Sequence, residues 1–93
     1  MYLLAEVIFY SKQRKNLPVS GYRPDAVFHG NQDYWGITFT DLPIEKFDAP
    51  TPAAIKFSFQ ERHYQEVVPG QSFAIMEGAR QVGEGKIISI EKR

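Results

Sequence analysis

The sequence predicts an all-β fold of six short strands, closed into a barrel or paired into a sandwich, on the strength of three observations. Apolar residues recur with period two, the spacing that turns one face of a strand toward a core. Groups rich in Pro, Gly, Asn and Asp separate the apolar runs. No segment carries the repeat of a convincing amphipathic helix.

The strands are expected at residues 2–10, 25–29, 34–40, 54–60, 71–77 and 85–91. The first, from Tyr2 to Tyr10, is apolar on both faces apart from Glu6, as in a strand covered on both sides. The second is a short run between the breaker Leu17-Pro18-Val19-Ser20-Gly21 and the polar group Gly30-Asn31-Gln32-Asp33. In the third, Trp35, Ile37 and Phe39 alternate with Gly36, Thr38 and Thr40, which makes Trp35 a core candidate. Leu42-Pro43 and Asp48-Ala49-Pro50-Thr51-Pro52 break the chain before the fourth strand, where Ile55, Phe57 and Phe59 are expected to face inward. Pro69-Gly70 precedes the fifth, whose Phe73-Ala74-Ile75-Met76 is again apolar on both faces. In the sixth, Ile88 and Ile90 share one face. Closing such a sheet removes the exposed edges that make small sheets aggregate.

At 93 residues the chain suits one domain, residues 1–93, with a single core. It carries 11 basic and 11 acidic side chains, so no long-range field draws it to nucleic acid or membrane. The absence of cysteine excludes disulfides, thiolate nucleophiles and sulfur-ligated zinc. Glu6 interrupts the apolar run after Met1 and no basic leader precedes it, so the N-terminus reads as a strand rather than a signal peptide. No apolar stretch approaches the roughly twenty residues of a membrane helix. The expectation is a soluble, cytoplasmic protein with no membrane partner.

Gly78 and Gly83 have the glycine spacing of a phosphate-binding loop, but Glu84-Gly85 follows where Lys-Ser/Thr would neutralise the phosphate. Gly83-Glu84-Gly85 begins like a dinucleotide fingerprint, yet the last glycine is missing and a strand, not a helix, follows. Glycines shaping a tight turn are expected, and no cofactor. His29 and His63, with Asp33 or Glu61, are the candidates for a metal site or an acid–base pair. No catalytic spacing supports them, so both are expected to be solvated or locally hydrogen-bonded. The carboxylates show no glycosidase-like pairing. The chain is therefore expected not to be an enzyme.

Binding chemistries stay open. Lys12, Arg14 and Lys15 form a basic group after the first strand, and Arg23, Arg80 and Lys86 follow later. With Tyr22, Tyr34 or Trp35 as stacking surfaces, such groups can track a phosphate backbone. They equally suit a solvated loop. Tyr22, Tyr34, Trp35, Phe47 and Tyr64 lie in or beside expected loops, where aromatics either plug a barrel end or anchor a protein interface.

Gly21-Tyr22-Arg23-Pro24, and Phe-Ala-Ile-Met-Glu-Gly-Ala-Arg-Gln-Val-Gly-Glu-Gly from Phe73 to Gly85, together resemble the C-terminal β-barrel domain of elongation factor Tu. The resemblance covers nearly the whole chain. Ala5-Glu6-Val7-Ile8-Phe9-Tyr10 is similar to that family's opening strand, and Phe28 to an aromatic position in the strand after Gly-Tyr-Arg-Pro. It implies a small six-stranded antiparallel β-barrel, here without the GTPase domain on which the family's barrel packs. In the family the barrel also helps to hold the T-stem of tRNA, with a Glu-Gly-Gly turn near the RNA backbone that Glu77 and Gly78 match.

The sequence departs from the family where RNA is contacted. Asp25 stands in place of a Gln, Met76 in place of an Arg, and Ala79 in place of the second Gly. An acid repels phosphate, and Met76 gives up a charge that pairs with it. Pro50-Thr51-Pro52-Ala53-Ala54 replaces a Pro-Gly-Asp, and Tyr34-Trp35 is an extra aromatic segment where the family has a short polar loop. Arg23 and Arg80 are expected to pair with Glu77 or with turn carbonyls.

The leading expectation is a non-enzymatic binding module, a stand-alone homologue of that barrel. It would engage a translation-related protein partner, or mimic the factor as a decoy or antitoxin-like protein. The alternative is RNA, tRNA above all, bound through residues 21–23 and 77–80. The residues expected to carry either contact are Tyr22, Arg23, Asp25, Tyr34, Met76, Glu77, Gly78 and Arg80. A third reading, a small hydrolase or metal protein, rests on His29 and His63.

Overall fold

The structure, a computed structural model, describes residues 1–92. Its strands are β1 (Tyr2–Phe9), β2 (Asp25–Phe28), β3 (Trp35–Asp41), β4 (Thr51–Phe57), β5 (Ser72–Glu77) and β6 (Arg80–Glu91). A 3-10 helical turn, Glu61–Gln65, separates β4 from β5. The strands close into a six-stranded barrel in the order β1-β4-β3-β2-β5-β6, with every neighbouring pair antiparallel. A barrel, not a sandwich, is therefore the architecture. Among the described residues, no helix is long and apolar enough to cross a membrane.

Ile37, Phe39, Ile55 and Phe57 are buried, as their alternation predicts. Leu3, Ala5, Val7 and Phe9 of β1 point inward, against Ile37 and Phe39 of β3, Ile55 of β4 and Ile75 of β5. Each buried aliphatic or aromatic side chain of this kind contributes about 1.5–3 kcal/mol of transfer free energy. The outer face of β1 differs from the expectation of cover on both sides. Leu4 is exposed, and with Ile88, Pro43 and Pro52 it lines a shallow outer groove.

Two strand assignments, β4 and β6, shift by several residues, each for a local reason. β4 begins at Thr51 rather than at residue 54, running through Pro52. Pro52 lies beyond the last β3 partner of β4, Ala54, so its missing N–H costs no bond on that side. β4 also ends at Phe57, which leaves Phe59 outside the strand and 78% exposed rather than inward. Tyr64, from the 3-10 turn, closes that barrel end instead. Its hydroxyl accepts from the Phe57 N–H at 3.1 Å and donates to the Met1 carbonyl at 2.9 Å.

In β6 the inward residue is Ile87, 1% exposed, while Ile88 points out at 55%. A bulge opposite Leu4 and Ala5 inserts one residue, so Leu3 faces Ile90 and Ala5 faces Ile87. Period two fails across a bulge, which is why Ile88 and Ile90 do not share a buried face. β6 also starts early, at Arg80, so Gly83 and Gly85 lie within a strand and not in a turn. Their smallness serves close packing: a Cβ on Gly85 would overlap the Phe73 ring. The tight β5–β6 turn is made at Gly78, with φ 62°.

Candidate functional site

The expected site residues divide between the two ends of the barrel. Tyr22 sits at one end, where its ring stacks on Phe39 (centroids 5.7 Å apart) and meets Phe9 at 5.8 Å. Tyr34 lies at the opposite end of β3, just before Trp35.

At the first end Glu77 is the hub. Its Oε2 accepts from the Tyr22 hydroxyl at 2.5 Å and from Arg14 Nε at 3.1 Å, and its Oε1 accepts from Arg80 Nη2 at 3.3 Å. The Arg14 guanidinium also lies over the Tyr22 ring, 4.9 Å from its centroid. Burial, and then the bond to Glu77, push the Tyr22 hydroxyl well above its ordinary range. Arg14 Nη1 is buried without a hydrogen-bond partner among the described residues.

Arg80 thus pairs with Glu77, as expected of it. Arg23 does not take part: it is exposed, and its neighbour Tyr22 makes the contact. The second arginine is Arg14, which arrives from the loop after β1. Sequence periodicity carries no information about that path; only the basic group around Arg14 hinted at a role.

Asp25 and Met76 face each other across the β2–β5 ladder. Asp25 is half-buried, but Met76 is 9% exposed, which removes it from a contact surface. A register shift between Ile75 and Met76 turns both side chains out of solvent. Gly78 forms the exposed turn.

The other end carries an open cleft of about 530 Å³, whose lining includes Tyr34, Trp35, Gly36, Phe59, Arg62 and His63. Trp35 is half-buried and its indole stacks on the His63 ring, with centroids 3.7 Å apart and planes 12° from parallel. Phe57 meets both edge-on, at 5.8 and 5.3 Å. His63 is consequently 8% exposed, and its Nδ1 bonds Glu66 Oε1 at 2.8 Å. It is locally hydrogen-bonded, as expected, but inside an aromatic stack rather than at a solvated turn. Phe59, not foreseen as a surface residue, lies on Gly36. A Cβ there would come within 2.8 Å of its ring, so the glycine lets the exposed ring rest on the β3 backbone.

His29 is exposed and lines a different cleft, with Ser72 and Glu84, so the histidines are not brought together. Among the described residues, no group of three or more His, Asp or Glu is placed to hold a metal ion. Tyr10, above β6, donates to Glu84 Oε1 at 2.6 Å, and burial followed by that bond pushes its hydroxyl up to about 12.

Comparison with protein-family models gives no match to this chain, and comparison with curated proteins finds no similar sequence.

Proposed function

We propose that this protein is a non-enzymatic binding module, a barrel of the elongation factor Tu C-terminal type that engages a protein partner. The observation that carries the reading is the cleft at the Trp35 end. Tyr34 is 49% and Phe59 78% exposed there, two aromatics lining one cleft. Aromatic side chains of this kind anchor protein interfaces. Its imidazole, His63, is committed to the Trp35 stack and to Glu66, and serves as a wall rather than as an acid–base group.

A second reading, RNA bound through residues 21–23 and 77–80, draws on the convergence of these turns and on the exposure of Arg23 and Arg80. Against it, Glu77 pairs with both Arg14 and Arg80 and offsets one of their two charges. It predicts affinity that falls steeply with salt.

Affinity capture from a bacterial lysate, with and without nuclease, tests both. A protein retained after nuclease treatment, and lost with Tyr34→Ala, supports the module. Recovery of tRNA alone, abolished by Arg23→Ala, replaces it with the RNA reading.

A further inference from the structure

We infer that the outer face of β4, β1 and β6 is a contact between two copies of this chain, related by a two-fold axis that crosses β1 at Leu4. This contact lies on a different face from the aromatic cleft and goes beyond the binding-module reading.

A closed barrel offers no free edge, so one copy cannot join another by adding a strand. Association has to use a side-chain face. The apolar part of this face is a stripe across three strands. Leu4 of β1 lies beside Ala54 of β4 on one side and Ile88 of β6 on the other, and Pro43 and Pro52 line the same shallow groove. Leu4 is 36% exposed, and Ile88, which the β6 bulge turns outward, is 55% exposed.

The charges around the stripe indicate what covers it. The β1–β6 register sets one row on either side of Leu4, with Tyr2 beside Glu91 and Glu6 beside Lys86. Tyr2 and Glu6 each stand two residues from Leu4 and share its outward face. A half-turn about an axis crossing the strands at Leu4 exchanges these two rows. Glu91 of each copy then meets Lys86 of the other, and Glu6 meets the Tyr2 hydroxyl. Leu4 and Ile88 each meet their own counterparts. An isologous interface needs such a patch, complementary to itself.

These charges are free to pair outward. Among the described residues, the ion pairs involve none of Glu6, Lys86 and Glu91. Glu91 accepts from the Ser89 hydroxyl at 2.7 Å through one oxygen and keeps the other. Exposed Lys56, two residues from Ala54, falls on Pro52 of the other copy and meets no like charge. Asp41, on the far rim of the groove, faces its own counterpart, which confines the contact to the three strands. With 11 basic and 11 acidic side chains, no net charge drives two copies apart. A standard interface buries about 1,600 Å² in all. Three strands of a curved face bury less, so the dimer is weak and forms in the micromolar to millimolar range.

Sedimentation equilibrium of the full chain over that range tests the contact. The expected result is an average mass that rises with concentration and levels off at twice that of the monomer. Ile88→Lys should weaken association about tenfold or more. Its position is exposed, so a thermal melt should show the variant folded. Lys86→Glu and Glu91→Lys should each weaken association, because each sets like charges together twice across the axis. Mixing these two variants should restore it, since opposite charges meet again in the mixed dimer. Tyr34→Ala, on the cleft, should leave the dimer intact. A monomer throughout, a mass beyond two copies, indifference to Ile88→Lys, no gain on mixing, or loss with Tyr34→Ala would each overturn the inference. A failure here leaves the partner captured through Tyr34 untouched, because that reading uses the other face.

Discussion

The Trp35 indole and the His63 imidazole lie face to face, 3.7 Å between centroids, and join a residue that opens β3 to one in the 3-10 turn after β4. This stack closes one barrel end and builds the back wall of the cleft. His63→Ala removes a nearly buried ring from between Trp35 and Phe57 and should cost about 2–3 kcal/mol, read as a lower urea midpoint. His63→Phe keeps a ring in the stack and should recover most of that loss. Equal destabilisation by both would mean that the Glu66 bond, not the stacking, matters.

Tyr64 bridges two backbone groups at the same end, the Phe57 N–H and the Met1 carbonyl. Tyr64→Phe keeps the ring against Phe57 and deletes only the hydroxyl. Leaving the Phe57 N–H without an acceptor should cost about 1–3 kcal/mol. Amide exchange at Phe57 should accelerate more than at Ile55, and unchanged exchange would refute the bridge.

Two tyrosines should make the barrel sensitive to alkali. The Tyr10 and Tyr22 hydroxyls are both raised above the ordinary value of 10.0 by burial and by their carboxylate partners. Below that value both folded and unfolded chains hold the proton, and the stabilisation is fully present. Above it the unfolded chain ionises first, so stability falls as pH rises from 10.0 through about 12, the folded value of Tyr10. Tyr22→Phe should flatten that decline in denaturant titrations. A decline as steep as in the unaltered protein would assign it elsewhere.

Gly85→Ala should destabilise by about 1–3 kcal/mol, because the added methyl meets the buried Phe73 ring. Gly78→Ala tests a different cause, the positive φ of the β5–β6 turn, where no atom crowds the new methyl. Pairing Gly85→Ala with Phe73→Leu should relieve part of the first cost and none of the second.

Much of this fold is legible in the sequence. Alternation in β3 and β4 names inward residues such as Ile37, Phe39 and Ile55, because a strand with one buried face must alternate, whereas β1, apolar on both faces in sequence, does not show which face is buried. Period two fails where the backbone changes its own period. The bulge in β6 exchanges Ile88 for Ile87, and the end of β4 turns Phe59 out. The candidate site is less legible. Arg80 meets Glu77 as expected, but Tyr22 takes the contact expected of Arg23, and the Arg14 contact depends on the course of an irregular loop. The stack of Trp35 on His63 joins residues far apart in sequence with no pattern to announce it.

The pairing of Tyr2 with Glu91 joins the two strands most distant in sequence. β1 emerges first during synthesis, yet its partners are β4 and β6, so it must wait for almost the whole sequence before its ladder is complete. Closing so long a loop raises the mean sequence separation of the barrel's contacts, and folds of that kind assemble more slowly than folds of local contacts. A permuted chain, with a short linker joining β6 to β1 and new ends cut in the loop between β3 and β4, would turn that distant pairing into a local hairpin. It should close faster while reaching the same barrel.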